Sequence, residues 1–370
     1  MKFDIDEKEE KKLKKRNEDR QKLNLILVFF FVLGFLVLVL VLVISSNNNK
    51  QKQQTAIETP TPITTTQPIR PVETKKLTVY DEESAERPIA VMIDNAIGDA
   101  LHAGLQESYL NYEILVEGGL TRIMAIYKDK NVPIIGPVRS SRHYFLDYAM
   151  ESDAIYVHYG WSPYAEEDEK SLNINNINGL TDSEVFRRDT NAKAPHNVFT
   201  KMTYIKSFLE KTNYSTTSDN YQLLNYSVDP VSLEKDTGYK AKVANKVVIP
   251  YSGTETRQYN YDSKNEYYVR LSNGKPEMDR RTGDQLHYKN IIIERVEFDV
   301  IDEEGRLDLK TTGTGKGYII TNGRFLPIHW SKASRNSKTT YTYENGSEVV
   351  VNDGNTFIQI VPLSSNISIE

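Results

Sequence analysis

The chain contains no cysteine. Disulfides, thiolate metal sites, cysteine nucleophiles and a lipidated amino-terminal cysteine are thereby excluded together. An exported domain of this chain must be held by its core alone. Histidine is scarce and dispersed, six residues with neither H-x-x-x-H nor H-E-x-x-H among them. That argues against a histidine-based metal centre, and no metal or cofactor is expected. G-x-S-x-G is missing as well, which removes the serine-hydrolase elbow. Positive charge is not in excess: 46 Lys and Arg stand against 51 Asp and Glu, a formal net charge of −5. Residues 1–24 carry nine basic and seven acidic groups, which leaves the remainder at −7. There is no global basic field to bind nucleic acid, so any anion site must be local.

One long apolar run is present. Leu25 to Ile44 reads LILVFFFVLGFLVLVLVLVI, without a charge. At about 1.5 Å per residue it spans roughly 30 Å, the thickness of a bilayer's hydrocarbon core. Lys11, Lys12, Lys14, Lys15, Arg16, Arg20 and Lys22 precede it, and only Lys50 and Lys52 follow closely. The positive-inside rule keeps the amino terminus cytoplasmic and sends the rest outside. SSNNNKQKQQ offers no A-x-A cleavage site, so the run is read as a retained single-pass signal-anchor rather than a signal peptide. Residues 1–24 form a solvated charged tail. Residues 45–76, rich in Ser, Asn, Gln, Thr and Pro, read as a linker that holds an extracellular part off the membrane. In a Gram-positive bacterium that places it in the inner cell wall.

Roughly 290 residues follow, enough for two ordinary domains. The first folded region is expected to start near Arg87. RPIAVMIDN reads as a buried strand ending in Asp94 and Asn95. YEILVEGGLTRIMAIY reads as two strands around Gly118-Gly119. A two-residue turn there pairs Glu117 with Leu120 and Leu115 with Arg122, placing Glu113, Glu117 and Arg122 on one face. Such a group is either a surface salt bridge or, if covered, a functional candidate. VPIIGPV is a third strand candidate. Ser140 or Ser141 would cap a following helix, and DAIYVHYG would be the next strand. Arg139 then lies at a strand's carboxyl end and Arg142 in the first helical turn. Basic side chains are unfavourable at that dipole end, unless an anion sits there. The alternative is that both arginines pair with protein carboxylates such as Glu113, Glu117 or Asp147. Asp94, Arg139 and His158 all fall at expected strand ends, where α/β sheets bind ligands. VFRRDTNAKAPHNVF, with Arg187, Arg188 and His196, reads either as a surface loop or as one folded back over that site. From about Lys240 short β-rich runs with Asn273-Gly274, Asn322-Gly323 and Asn345-Gly346 turn signals take over. The expected fold class is therefore an α/β (α+β) ectodomain, residues 77–225, then a mostly β domain, residues 226–370, behind the transmembrane helix. The anion-binding candidates are Arg139, Arg142, Arg122, His143, Arg188 and His196. The catalytic candidates are Glu113, Glu117, Asp94 and His158.

RPIAVMIDN, YEILVEGGLTRIMAIY, IGPVRSSRHYF, DAIYVHYGWSP and KAPHNVF, in this order, resemble the YerB-like family of bacterial cell-envelope proteins. So do YYVRLSNGKPEMDRRTGDQLHYKNIII and GKGYIITNGRFLPIHWSK. The resemblance runs from about Arg87 to Pro362. It implies an envelope location and, because members are commonly lipoproteins, an attachment that this cysteine-free chain must make differently. It implies no activity. Three readings follow. The first is binding of an anionic envelope component, a polyprenyl-linked phosphate, teichoic acid or peptidoglycan carboxylate, at Arg139 and Arg142. The second is an enzyme on such material, similar in architecture to the LytR-CpsA-Psr phosphotransferases or using Glu113 and Glu117 on a glycan. The third is a scaffold that recruits envelope proteins through its β domain.

Overall fold

The computed structural model describes residues 75–96, 102–219 and 222–370. The expected transmembrane segment 25–44, the charged tail and the linker up to residue 74 lie outside them. Among the described residues no helix is long and apolar enough to cross a membrane.

Short apolar runs rich in Ile, Val, Tyr and Phe build a sheet of eleven strands. Ten follow one path: β1 (Ile89–Asp94), β2 (Leu110–Leu115), β3 (Thr121–Tyr127), β4 (Ile155–His158), β5 (Asn176–Asn178), and from the second half of the chain β9 (Asn290–Val296), β12 (Gly313–Thr321), β13 (Arg324–Lys332), β14 (Thr340–Thr342) and β15 (Thr356–Pro362). Their order is β14-β13-β12-β9-β15-β2-β3-β1-β4-β5. A second sheet contains β6 (Lys246–Pro250), β7 (Thr256–Asp262), β8 (Tyr267–Ser272) and β16 (Ser368–Ile369). A hairpin of β10 (Phe298–Val300) and β11 (Leu307–Leu309) stands apart. The helices are α1 (His143–Glu151), α2 (Pro163–Ser171), α3 (Met202–Leu209) and the short α4 (Leu233–Thr237). The protein is thus mixed α/β with mostly strands in its carboxyl-terminal part. Segments 77–225 and 226–370 do not form separate sheets, because β15 hydrogen-bonds in parallel to β2.

Two cores flank the large sheet. On one face Met92, Tyr112, Ile114, Met124, Ile292 and Ile358 pack with Tyr144, Phe145 and Tyr148 of α1. On the other, Val91, Ile93, Ile123, Ile291 and Phe357 meet Val247, Ile249 and Tyr259 of the second sheet and Ile205 of α3. At about 1.5–3 kcal/mol for each fully buried large side chain, these two layers carry the fold without disulfides. Folding begins earlier than Arg87. Leu77, Val79 and Tyr80 are buried, and Asp353 accepts hydrogen bonds from the Thr78 and Val79 amides at 2.8 and 3.0 Å.

Three local features differ from expectation. The β2–β3 turn holds three residues, Glu117–Gly119, with Gly118 and Gly119 at φ 69° and 73°, and the Val116 amide donates to the Leu120 carbonyl at 2.7 Å. The pairs are Glu113 with Ile123 and Ile114 with Arg122. A one-residue slip exchanges faces, so Glu113 and Arg122 point to opposite sides of the sheet. VPIIGPV makes only single bridges, Val138 to Ile93, Gly136 to Ala103 and Ile135 to Thr200, because Pro137 has no amide to extend a ladder. The helix caps are one hit and one miss. Ser162 caps α2, accepting from the Ala165 amide at 3.3 Å with Pro163 next, as expected. At α1 the capping position is Arg142, in extended conformation and without a side-chain cap, rather than Ser140 or Ser141.

Glu113 is fully buried between the two sheets. Arg257 of β7 donates from Nε to its Oε1 at 2.7 Å, and Arg270 of β8 from Nη1 to its Oε2 at 3.0 Å. Asn95 and Thr121 each add a hydrogen bond at 2.7 Å. Arg257 continues to Glu255 at 2.6 Å, and Arg270 to Glu277 at 2.6 Å. Burial alone would raise the Glu113 pKa, but the Arg270 and Arg257 guanidiniums hold it below its ordinary value. Glu277 is likewise opposed by burial and held well below by Arg270 and His102. Removing one member of a buried ion group leaves a charge uncompensated. Glu113→Gln should therefore lower stability by about 3–5 kcal/mol in urea unfolding at pH 7; an unchanged midpoint would show that the network is not a support. Because both native pKa values lie below the reference 4.5, this stabilisation is complete above that value and is lost as pH falls through the native ones. Acid titration of the unfolding midpoint should show a steep fall below 4.5 that is shallower in the variant, which keeps Glu277 but has lost the Glu113 carboxylate.

Candidate anion-binding site

β1 runs parallel to β4, and β4 to β5, while β3 is antiparallel to both β1 and β2. The carboxyl ends of β1, β2, β4 and β5 therefore share one edge of the large sheet, where ligands of such sheets usually bind. Residues 137–139 lie along the end of β1: the Asp94 amide donates to the Pro137 carbonyl at 2.8 Å and the Arg139 amide to the Met92 carbonyl at 3.0 Å. Arg122 stands opposite Asp94 in register. This brings Asp94, Arg122 and Arg139 together, with Glu117 and Arg142 at the neighbouring turn and cap.

The three arginines differ in how they are held. Arg142 is clamped bidentately on Glu117, Nε at 2.5 Å and Nη2 at 2.8 Å. Burial would raise Glu117, but Arg142 keeps it below its usual pKa. This answers the dipole mismatch at α1: the cation turns away to a carboxylate. Arg139 places Nε 3.1 Å from Oδ2 of Asp94. His196 reaches the same oxygen from its loop, with Nδ1 at 2.6 Å, so the KAPHNVF segment does fold back onto the site. Asp94 is buried and also accepts the Ala96 amide at 3.0 Å. Arg122, only 7 % exposed, has no carboxylate within ion-pair distance among the described residues; its Nη1 donates to the Ser140 carbonyl at 2.6 Å. Burial, together with the nearby Arg142 and Arg139 charges, pushes its pKa down to about 10. Among the described residues the cluster thus holds three guanidiniums against two carboxylates. Each of those carboxylates already has its arginine, and the most buried cation is left without one.

The other candidates lie elsewhere or beside the cluster. His143 turns to Asp308 of β11, Nε2 to Oδ1 3.0 Å, away from Arg139. Arg188 is exposed beside the site, donating to Asn197 Oδ1 at 2.9 Å and stacking over Tyr159 at 5.3 Å. His158 is fully buried, with Nδ1 2.8 Å from the Gly160 carbonyl, and burial lowers its pKa to about 4. Its neighbour Glu169, with Oε2 3.4 Å from His158 Nε2, is also buried and is raised to about 7 by that burial. Glu113 belongs to the buried ion network on the opposite face. Neither Glu113 nor Glu117 has the raised pKa that a general acid for glycan cleavage needs.

The network that supports the site was not expected from sequence. His102 lies 2.9 Å from Glu277 through Nδ1 and 2.6 Å from the Asp94 carbonyl through Nε2. Burial lowers the pKa of His102, and Glu277 more than reverses this. A signal existed in the alternation of RQYNY and YYVRLS, which puts Arg257 and Arg270 on the same inward faces as Tyr259 and Tyr268. Chemically, the edge can hold a phosphate or carboxylate with Arg122 and Arg139. Asp94–His196 is also a carboxylate–imidazole pair of the kind that orients a general base. Asp94→Asn should release the loop that carries His196. Trypsin cleavage after the exposed Lys193 is then expected to speed up by about tenfold, the loss of one charge-assisted hydrogen bond; unchanged cleavage would mean that the loop is held otherwise.

Comparison with known proteins agrees with the YerB-like resemblance. The amino-terminal profile of DUF3048, described as a protein of unknown function, matches residues 74–215, and the carboxyl-terminal profile matches residues 247–358. YerB of Bacillus subtilis (strain 168), whose name carries a provisional lipoprotein designation, is 32% identical over 288 residues, 75% of this chain and 81% of that protein. The crystal structure of the Bacillus subtilis YerB protein superposes with a TM-score of 0.66 at 31% identity, covering 76% of this chain and 94% of that one.

Proposed function

The chain belongs to the DUF3048 family, and from that premise we propose that it is a membrane-anchored, extracytoplasmic envelope protein that binds an anionic envelope component at Arg122, Arg139 and Arg142. The relative's lipoprotein designation supports the compartment. With no cysteine to carry a lipid, this reading assigns attachment to the apolar run 25–44, with the amino terminus cytoplasmic. The observation that carries the binding reading is Arg122. A buried guanidinium without a carboxylate is costly unless an anion completes it. Arg139 and the adjacent His196 supply further donors, and Arg142 sets the field while remaining clamped on Glu117. The ligand class is a phosphate or carboxylate of a cell-wall polymer or a polyprenyl-linked phosphate.

Catalysis on the same material is favoured by one feature, the 2.6 Å Asp94–His196 contact beside the arginines. No comparable observation favours a scaffold that recruits envelope proteins.

The test incubates the full chain in neutral detergent, wild type and Arg122→Gln/Arg139→Gln, with isolated cell walls. Bound protein is quantified and released material is analysed by mass spectrometry, with melting curves to confirm that the variant folds. Retention should fall by about tenfold or more in the variant, given ~1.5–3 kcal/mol for a charge-assisted contact, and wild type should release nothing. Equal retention would overturn the binding reading. Arginine-dependent release of fragments would replace it with an enzyme.

A further inference from the structure

A second cationic feature lies on the same edge of the large sheet. β9 and β15 run parallel to β2, so the carboxyl end of β9 lines up with that of β2, and β12 begins beside it. There a cleft of about 390 Å³ is lined by Arg295, Lys310, Lys316 and Trp330 among others. Lys310 and Lys316 are exposed, and among the described residues no carboxylate lies within ion-pair distance of either. Arg295 donates from Nη2 to the Leu363 and Ser365 carbonyls, but its Nε is buried without a hydrogen-bond partner. Trp330 is fixed at the base, Nε1 donating to the Arg295 carbonyl at 3.3 Å. Gly315 faces it in register, and a Cβ there would fall 2.4 Å from Nε1, so only glycine leaves room for the indole. Glu297 is the single carboxylate of the lining.

We infer that this cleft is a second anion subsite, and that with the arginine cluster it takes a polymer carrying repeated phosphate groups rather than a single lipid-linked phosphate. The inference rests on the binding reading above for its first subsite. Along the strand order, β9 is three steps from β3. At about 4.8 Å per step the two sites stand roughly 14 Å apart along the edge. A lone phosphate reaches one of them; a chain of phosphates reaches both. The β10–β11 hairpin follows β9 directly in the chain and is tied to α1 through Asp308 and His143. It exposes Asp299, Glu303 and Glu304. A flexible polymer can pass those carboxylates, whereas an anionic bilayer surface would have to meet them face on. The chemistry therefore favours a soluble polyanion over a membrane.

The experiment uses the full chain in nanodiscs of neutral lipid and three probes: orthophosphate, long-chain inorganic polyphosphate, and phosphatidylglycerol vesicles. The variants are Lys310→Ala/Lys316→Ala, whose side chains have no ion-pair partners to lose among the described residues, and Arg122→Gln. Wild type should bind polyphosphate more tightly than orthophosphate. The lysine variant should weaken polyphosphate about tenfold or more and leave orthophosphate unchanged. Its slope of log affinity against log salt should be shallower by about 1.4, two released counterions at ~0.7 each as for single-stranded nucleic acids. Polyphosphate binding that ignores the lysines overturns the inference, as does lysine-dependent binding to vesicles with none to polyphosphate. Failure of the first reading looks different: orthophosphate binding would then be indifferent to Arg122→Gln, whether or not the lysines matter for the chain.

Discussion

A carboxylate buried at the middle of the molecule imposes the constraint on which the rest depends. Glu113 sits on β2 with no exposure, so its charge requires partners within the protein. Those partners, Arg257 and Arg270, belong to the second sheet, about 150 residues further along the chain. The two sheets can close only in the register that brings these groups within hydrogen-bond reach. Apolar packing between the sheets supplies the larger share of the energy, but it tolerates sliding. The ion network does not, because sliding that displaces Arg257 and Arg270 would strip Glu113, Glu255 and Glu277 of their guanidinium partners.

The same network sets the geometry of the sheet edge. Asn95, which donates to Glu113, follows Asp94 directly, and His102 joins Glu277 to the Asp94 carbonyl. The end of β1 is thus gripped from the carboxyl-terminal half, and Asp94 in turn orients Arg139 and His196. Elsewhere the protein closes its buried charges internally. Glu151 takes Lys332 at 2.7 Å, and Asp147 takes Arg335 at 2.6 Å. Glu294, facing Tyr341 and Tyr148, is raised by burial to about 8. Against this pattern Arg122 stands out, buried at an edge with a carbonyl as its hydrogen-bond acceptor.

Much of the architecture was legible because its causes are local. Asn322-Gly323 adopts positive φ at both residues and closes β12 onto β13, and Ser162-Pro163 starts α2. The clustering of Asp94 and Arg139 followed from strand ends alone. The β2–β3 register was not legible, since two glycines fit a two-residue turn as well as a three-residue one, and the choice decides which face Glu113 takes. The shared sheet and the ion network were hidden for a different reason. β15 inserts beside β2, and Arg270 meets Glu113, through contacts at a sequence distance over which spacing carries no signal.

A hydrogen-bonded sheet also makes the separation of edge features rigid. Strand spacing is set by backbone geometry, whereas surface side chains on loops can drift. Arg122 lies near the start of β3 and Arg295 near the end of β9, so the distance between their backbones along the edge is fixed by the two strands in between, β15 and β2. β15 comes from the last part of the chain and β2 from the first. Their pairing therefore does more than complete the sheet: it sets the spacing of the cations along the edge. A flexible ligand bound across such an edge gives up its own freedom, while the protein gives up little. The long non-local closure of this fold has in that sense a consequence at its surface, which two independently folded halves on a linker could not reproduce.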